Sequence, residues 1–318
     1  MNTIVTKKSK QVDKTKHNTH MAKRIKKDWE LYLFMLPALI MVFIFAYLPM
    51  YGVLMAFQDV KIGVPMWQNK WVAFKHFIRF FNSAWFGTTL KNTLTISIIS
   101  NAVCWPIPLI LALLIYNSTK PKLAKLTQNF SYLPHLLSTV LVISILRLFC
   151  AGDSGLINIL LSKIGWSRIN FFGDPSWVYP MYIITDIWAS FGYGAIIYLG
   201  ALTAVDKALL EAAEIDGAGK IKRIWHIQLP AILPTVVTML VLKMGQLFAM
   251  GADKMLLIQT DANLKNSEVI ATYVYKAGLG SFQYGFSTAV GLFQNVVNLV
   301  LVLSVNFISK KLTDVSIF

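Results

Sequence analysis

Charge is scarce in this sequence. Charged side chains make up 14% of the 318 residues, little more than half the share that a soluble domain carries. Cysteine is scarcer still. Cys104 and Cys150 are the two present, neither in a CxxC nor beside a histidine, which excludes a disulfide framework and a thiolate metal site. No GxxxxGK[ST] phosphate loop occurs, and "DGAGK" at Asp216–Lys220 is not one, because the residue five before Gly219 is Glu214. HExxH, GxSxG and Cys/His clusters are missing too, so hydrolase and ATPase chemistry lack their usual residues. The formal charge is +15, yet the bases fall mostly outside the apolar runs. That distribution suits orientation signals and contacts with anionic lipid rather than a nucleic-acid groove.

What is present is apolar: 56% of residues are hydrophobic and the mean hydropathy is +0.57. Six runs, about 29–57, 88–116, 129–150, 178–204, 230–250 and 285–307, each reach the roughly 20 residues needed to span a bilayer core as a helix. Strands are excluded by length, and an open sheet by its unpaired backbone groups. The expected fold is therefore an all-α integral membrane protein with six transmembrane helices. The first run is about twice as long as a signal-peptide core and lacks a small-x-small cleavage site, so it reads as an uncleaved span. Counting Lys and Arg between runs gives 18 in 76 residues on one side and 9 in 91 on the other. By the positive-inside rule both termini and the 205–229 loop face the cytoplasm. Residues 1–28 read as a basic, disordered, lipid-touching tail ahead of a membrane domain over 29–318. In the first outer loop, Trp71, Phe74, Phe77 and Phe81 recur at helical spacing, which predicts an interfacial helix, with sugar stacking as the alternative.

The 205–229 loop is the polar exception. Asp206 is placed to cap a helix over "KALLEAAEI", whose Leu209, Ala212 and Ala213 share a face. "DGAG" then breaks it, with Gly217 suited to a left-handed closing position. A second short helix is expected, with Ile221, Ile224, Trp225 and Gln228 on one stripe, before Leu229–Pro230 opens the fifth span. Two short helices at a corner make a plug that another protein can grip; a connector lying on the membrane is the other reading.

The order "EAA...DGA......I..I.LP...P", carried by Glu211, Ala212, Ala213, Asp216, Gly217, Ala218, Ile227, Leu229, Pro230 and Pro234, resembles the cytoplasmic signature of permease subunits of type I ABC importers. "LKNTLTIS", "YLPHLLSTVLVISI", "GLINILL" and "QYGFSTAVGLFQNVVNLVLVL" are similar to the carbohydrate-uptake branch, in particular the part serving oligosaccharides and complex glycans. The resemblance implies the type I permease fold in a bacterial cell membrane and no covalent chemistry in this chain. It implies as partners separate ATPase subunits that bind ATP and Mg, a second permease, identical or not, and an extracytoplasmic binding protein that delivers the glycan. In such a protein the loop forms coupling helices: Glu211 would make a polar contact to the ATPase, Gly217 would permit the turn and the Ala pair would pack in its cleft. An ATP-independent carrier or channel is the alternative, and it offers no reason for the loop.

Polar residues inside spans mark a path or a partner. Asp186 and Lys243 lie at matching depth, roughly 12 Å from the outer ends of their spans, which suggests that they pair; separate partners are the alternative. Trp188, Tyr193, Gln246, Gln294, Asn295 and Asn298 are candidates for the substrate path. Hydrogen bonding between helices competes with that role for each of them.

Overall fold

The computed structural model describes residues 27–248 and 250–313. The tail expected over 1–28 lies, apart from Lys27 and Asp28, outside the described residues. Two compact units divide between Leu54 and Met55.

The described part of the first unit is one helix, α1, which runs Trp29–Phe57 and crosses into the second unit. Its turn at Phe43–Tyr47 is widened, with the Leu48 N–H bonded to the Phe43 carbonyl, five residues back and directly before Pro49. Proline lacks a donor and its ring crowds the carbonyl four residues earlier. One extra residue in the turn relieves that crowding without ending the helix.

The second unit opens on a two-residue antiparallel ladder, Gln58–Asp59 with Lys70–Trp71. The helix expected to start near Trp71 begins at Lys75, because Trp71 is in the strand and Ala73 takes a positive φ of 48°. Over Lys75–Phe81 it buries His76 and Phe80. That face packs on the core while Phe74, Ile78 and Phe81 stay exposed on the other, and Phe74 and Phe77 close on Phe57 at 5.7 Å.

Among the described residues, four further helices are long and apolar enough to cross a membrane: α2 Phe86–Tyr116, α5 Pro175–Thr203, α7 Lys220–Met244 and α9 Tyr284–Thr313. Between α2 and α5, the run read as one span over 129–150 is two helices, α3 Pro121–Leu136 and α4 Thr139–Phe149, bent by 100°. Leu137 and Ser138 are extended at the bend, and the Ser138 hydroxyl accepts from the Leu141 N–H to start α4. Ahead of α5, the Asp174 carboxyl accepts the Ser176 backbone N–H at 2.9 Å, which holds its pKa below the ordinary carboxylate value. Between α5 and α7 lies α6, Lys207–Ile215, and between α7 and α9 lies α8, Ala252–Ile258.

Three apolar clusters hold this unit together. One gathers Ile96, Ile143, Met181, Met255 and Val269 around the α4–α5–α8 junction. Another gathers Ala112, Ala195, Leu202, Ile232 and Val236 at the ends of α2, α5 and α7 nearest the 205–229 loop. The third is aromatic, with Phe80, Phe248 and Phe286. At Gly192 an added Cβ would collide with the Ser131 backbone, so glycine is what lets α5 lie directly against α3. The outward faces remain apolar and exposed, as at Leu114, Leu148 and Phe307, which suits lipid.

Candidate functional site

The 205–229 loop is an elbow with defined ends. The Asp206 carboxylate accepts the Ala208 N–H at 2.9 Å and starts α6. At the other end the Ala218 N–H reaches the Ala213 carbonyl at 2.8 Å and the Gly217 N–H reaches Glu214 at 3.0 Å. This pair of bonds is a Schellman closure. Gly217 has φ +76° with open space where a Cβ would stand, so the requirement for glycine is one of backbone conformation alone.

The second arm differs from the expectation. Lys220 opens α7, which runs unbroken through the elbow into the fifth span, so no separate short helix precedes Leu229–Pro230. Continuity is kept by a second widened turn, Ile224–Gln228, where the Leu229 N–H bonds to the Ile224 carbonyl directly before Pro230. The added residue also splits the expected stripe. Ile221 and Trp225 are exposed, whereas Gln228 is 2% exposed and Ile224, Ile227 and Leu229 pack on the adjoining apolar cluster. Of the remaining loop candidates, Glu211, Ala212, Asp216, Gly217 and Pro230 are exposed and Ala213 and Ala218 half-buried.

Three contacts fix the arms. Arg223 donates to Glu214 at 2.7 Å across the elbow. Asn117, at the end of α2, exchanges two amide bonds with Gln228, each 2.8 Å, and Lys220 reaches the Asn117 carbonyl at 3.3 Å. Sequence reading gave no sign of the Asn117–Gln228 pair, whose members lie 111 positions apart.

In the spans, Asp186 does not pair with Lys243. Its partner is Lys254 of α8 at 3.3 Å, and it also accepts from the Ser100 hydroxyl at 3.2 Å. The Lys254 ammonium donates to the Tyr182 carbonyl at 2.7 Å and lies 4.0 Å from the Tyr182 ring centre. Lys254 was overlooked because it sits beyond the fifth apolar run, in a stretch read as an outer loop. Asp186, Lys243 and Gln246 do share a cavity of about 200 Å³ with Ser97, Ser100 and Asn101. Tyr193 stacks on His135, with ring centres 4.0 Å apart and planes at 8°, in a second cavity of about 260 Å³ that Lys243 also lines.

The other path candidates are placed elsewhere. Trp188 lines apolar hollows with Leu146 and Phe130. Asn298 accepts the Phe248 N–H at 2.8 Å and Gln294 donates to the Phe248 carbonyl, so both tie α9 to the chain after α7. Asn295, three residues from Asn298, is exposed. Arg147 donates twice to the Leu257 carbonyl, at 3.2 and 2.6 Å, near the end of α8.

A family model described as "binding-protein-dependent transport system inner membrane component" matches residues 105–314. Over 294 residues the chain is 39% identical to protein LplB of Bacillus subtilis, covering 92% of each chain. It is 41% identical over 288 residues to the polygalacturonan/rhamnogalacturonan transport system permease protein YteP of the same organism, covering 91% of this chain and 90% of that one. Among solved structures, a chain of a bacterial alginate ABC transporter, in complex with its alginate pentasaccharide-bound periplasmic protein, superposes with a TM-score of 0.85. It is 37% identical, and the match covers 93% of this chain and 99% of that one.

Proposed function

The chain belongs to the family of binding-protein-dependent transport system inner membrane components, a multi-pass membrane permease with the fold of type I ABC importers, and we propose that it imports an oligosaccharide or complex glycan as half of an ATP-driven pore. A second permease completes the pore, an extracytoplasmic binding protein delivers the glycan, and separate ATPase subunits supply the energy. The named substrates of the relatives support the carbohydrate class.

The elbow carries this reading. Leu209, Ile215, Ile221 and Trp225 are 57%, 86%, 72% and 65% exposed, on a helical corner whose charged residues suit cytosol. Apolar side chains gathered on a water-facing projection mark a protein partner. The Schellman turn and the Asn117–Gln228 bonds make the corner stiff, so a force applied to α6 reaches α7 and α2. ATP would close the ATPase pair, the elbows would follow, and the spans would reopen outward. In that scheme Glu211 contacts the ATPase and Ala212 and Ala213 pack in its cleft, with Asp216 and Ala218 completing the turn.

Gly217→Val forces a β-branched residue into a left-handed conformation that costs about 1–2 kcal/mol. The expected outcome is loss of ATP-dependent uptake and of copurifying ATPase, with normal membrane insertion; Glu211→Ala is expected to weaken the same two readouts. Undiminished uptake in both variants would sink the coupling role.

A further inference from the structure

Lys243 stands where a helix stops. α7 ends at Met244, and the described part of 245–251 is turns and irregular chain. The stretch lies deep. α8, which follows it, sets Lys254 against Asp186, and Asp186 is eight residues into the regular helix that starts at Val178, about 12 Å along its axis. Non-helical backbone at such depth is tolerated where it is buried in protein or lines a polar cavity. Here Phe248 is buried and the described residues around it border such a cavity. Gln294 and Asn298 satisfy the Phe248 backbone, while Gln246, Leu247, Met250 and Gly251 line the cavity that Lys243 shares with Asp186.

The charges around this cavity do not cancel. Asp186 is answered by Lys254. Among the described residues, the Lys243 ammonium has no hydrogen bond or ion pair, so one positive charge is left over. An intramembrane cation marks a path or a partner. Lys243 also borders the cavity of the stacked His135 and Tyr193 rings, and Tyr193 keeps 53% of its surface exposed. A cation between an aromatic face and the polar groups of Ser97, Ser100, Asn101 and Gln246 suits one kind of sugar unit. Its carboxylate meets the ammonium, its apolar face meets the ring, and its hydroxyls meet the amides and hydroxyls. At about 200 Å³ the cavity is smaller than the roughly 300–1,000 Å³ of drug-sized sites, which suits one ring of a chain at a time.

We propose that Lys243 binds substrate carboxylate in the transport path, and that the glycan carried is acidic, a uronate-containing oligosaccharide. This rests on the import reading above.

The test uses the complete complex with its binding protein in proteoliposomes. The probes are trigalacturonate and trimannuronate, each beside its methyl ester, which keeps size and linkage but removes charge, and neutral arabinotriose. Wild type is expected to import at least one free acid. Lys243→Gln should slow that acid about tenfold or more while changing ester or arabinotriose uptake less than about twofold, and Lys243→Arg should keep the acid rate within about threefold. Import of neutral probes with no acid moving overturns the proposal, as does Lys243→Gln slowing acid and neutral probes alike or slowing neither. Loss of the second permease from the Lys243→Gln complex overturns it too, by making the lysine an interface charge. If wild type imports none of the probes with ATP, the import reading itself falls, a result distinct from these.

Discussion

The elbow and the junction around α8 are held in opposite ways. In the elbow most bonds are short in sequence: a cap two residues on, a Schellman pair, and an ion pair nine residues apart. Around α8 they are long. Asn92 donates to the carbonyls of Lys265 and Glu268 at 2.9 and 3.0 Å and accepts from the Tyr179 hydroxyl at 3.0 Å. Asn263 donates to the Phe172 carbonyl, 91 positions away. Glu268, 3% exposed, adds a buried knot of shorter range, to Lys276 at 2.6 Å, Gln259 at 2.9 Å and Thr272 at 3.2 Å, four to nine positions away. The exposed elbow is set by local rules, whereas the interior around α8 is tied by buried polar bonds, the longest of them between distant segments. Such networks specify a unique packing when every member is satisfied and fail badly when one is removed.

Glu268→Ala therefore carries the largest expected effect. Breaking a buried pair by removing one partner costs about 3–5 kcal/mol. The low end applies, because Lys276 is 43% exposed at its side chain and regains water. Thermal unfolding of the purified complex should show a clear loss of stability, with ATPase still bound through the intact elbow. A stable Glu268→Ala complex that sheds its ATPase would reverse the contrast between the two regions.

The same contrast governs what was legible in the sequence. Asp206 as a cap and Gly217 as a left-handed closure were readable because each acts on neighbours within a few residues, and the structure has both. The apolar runs were readable because lipid imposes length and composition. The bend between α3 and α4 was missed, since a hydropathy window averages over Leu137–Ser138; the cue was Ser138 as an N-cap inside the run. Asp186 was recognised as a charge needing a partner, but matched depth pointed to Lys243, and nothing local reveals that α8 brings Lys254 back into the membrane domain. Gln228 shares one expected stripe with Ile221, Ile224 and Trp225, which the widened turn before Pro230 splits. The same widened turn precedes Pro49, yet Leu36–Pro37 and Leu233–Pro234 lie in regular helix, so a Leu–Pro pair alone does not announce it.

Asn117–Gln228 is the exception on the elbow side, a single buried long-range bond pair, and its effect falls in the middle. Asn117→Ala leaves the amide of Gln228, 2% exposed, without its partner, at a cost of about 1–3 kcal/mol. Replacing both residues by Leu removes the unmet amide and should restore much of the stability. If the pair transmits force as well as holding the fold, the double variant will hydrolyse ATP at near wild-type rate while importing substrate poorly. Uptake and hydrolysis falling in proportion in the stable double variant would reduce Asn117–Gln228 to packing.

The smallest effect belongs to the ion pair across the elbow. Glu214 is 69% exposed at its side chain and Arg223 only 16%, so water screens the pair from the carboxylate side. Exposed pairs contribute about 0.2–1 kcal/mol, and at 1 M salt the screening length of about 3 Å removes most of that. The Schellman bonds do not depend on the carboxylate at all. Glu214→Gln should lower hydrogen-exchange protection over 207–223 by less than about fivefold at low salt, since 1 kcal/mol is close to that factor, and leave it unchanged at high salt. A loss as large as that of Asn117→Ala would mean that charge rather than backbone closure holds the elbow, and the division between a locally built surface and a long-range interior would then fail at its simplest point.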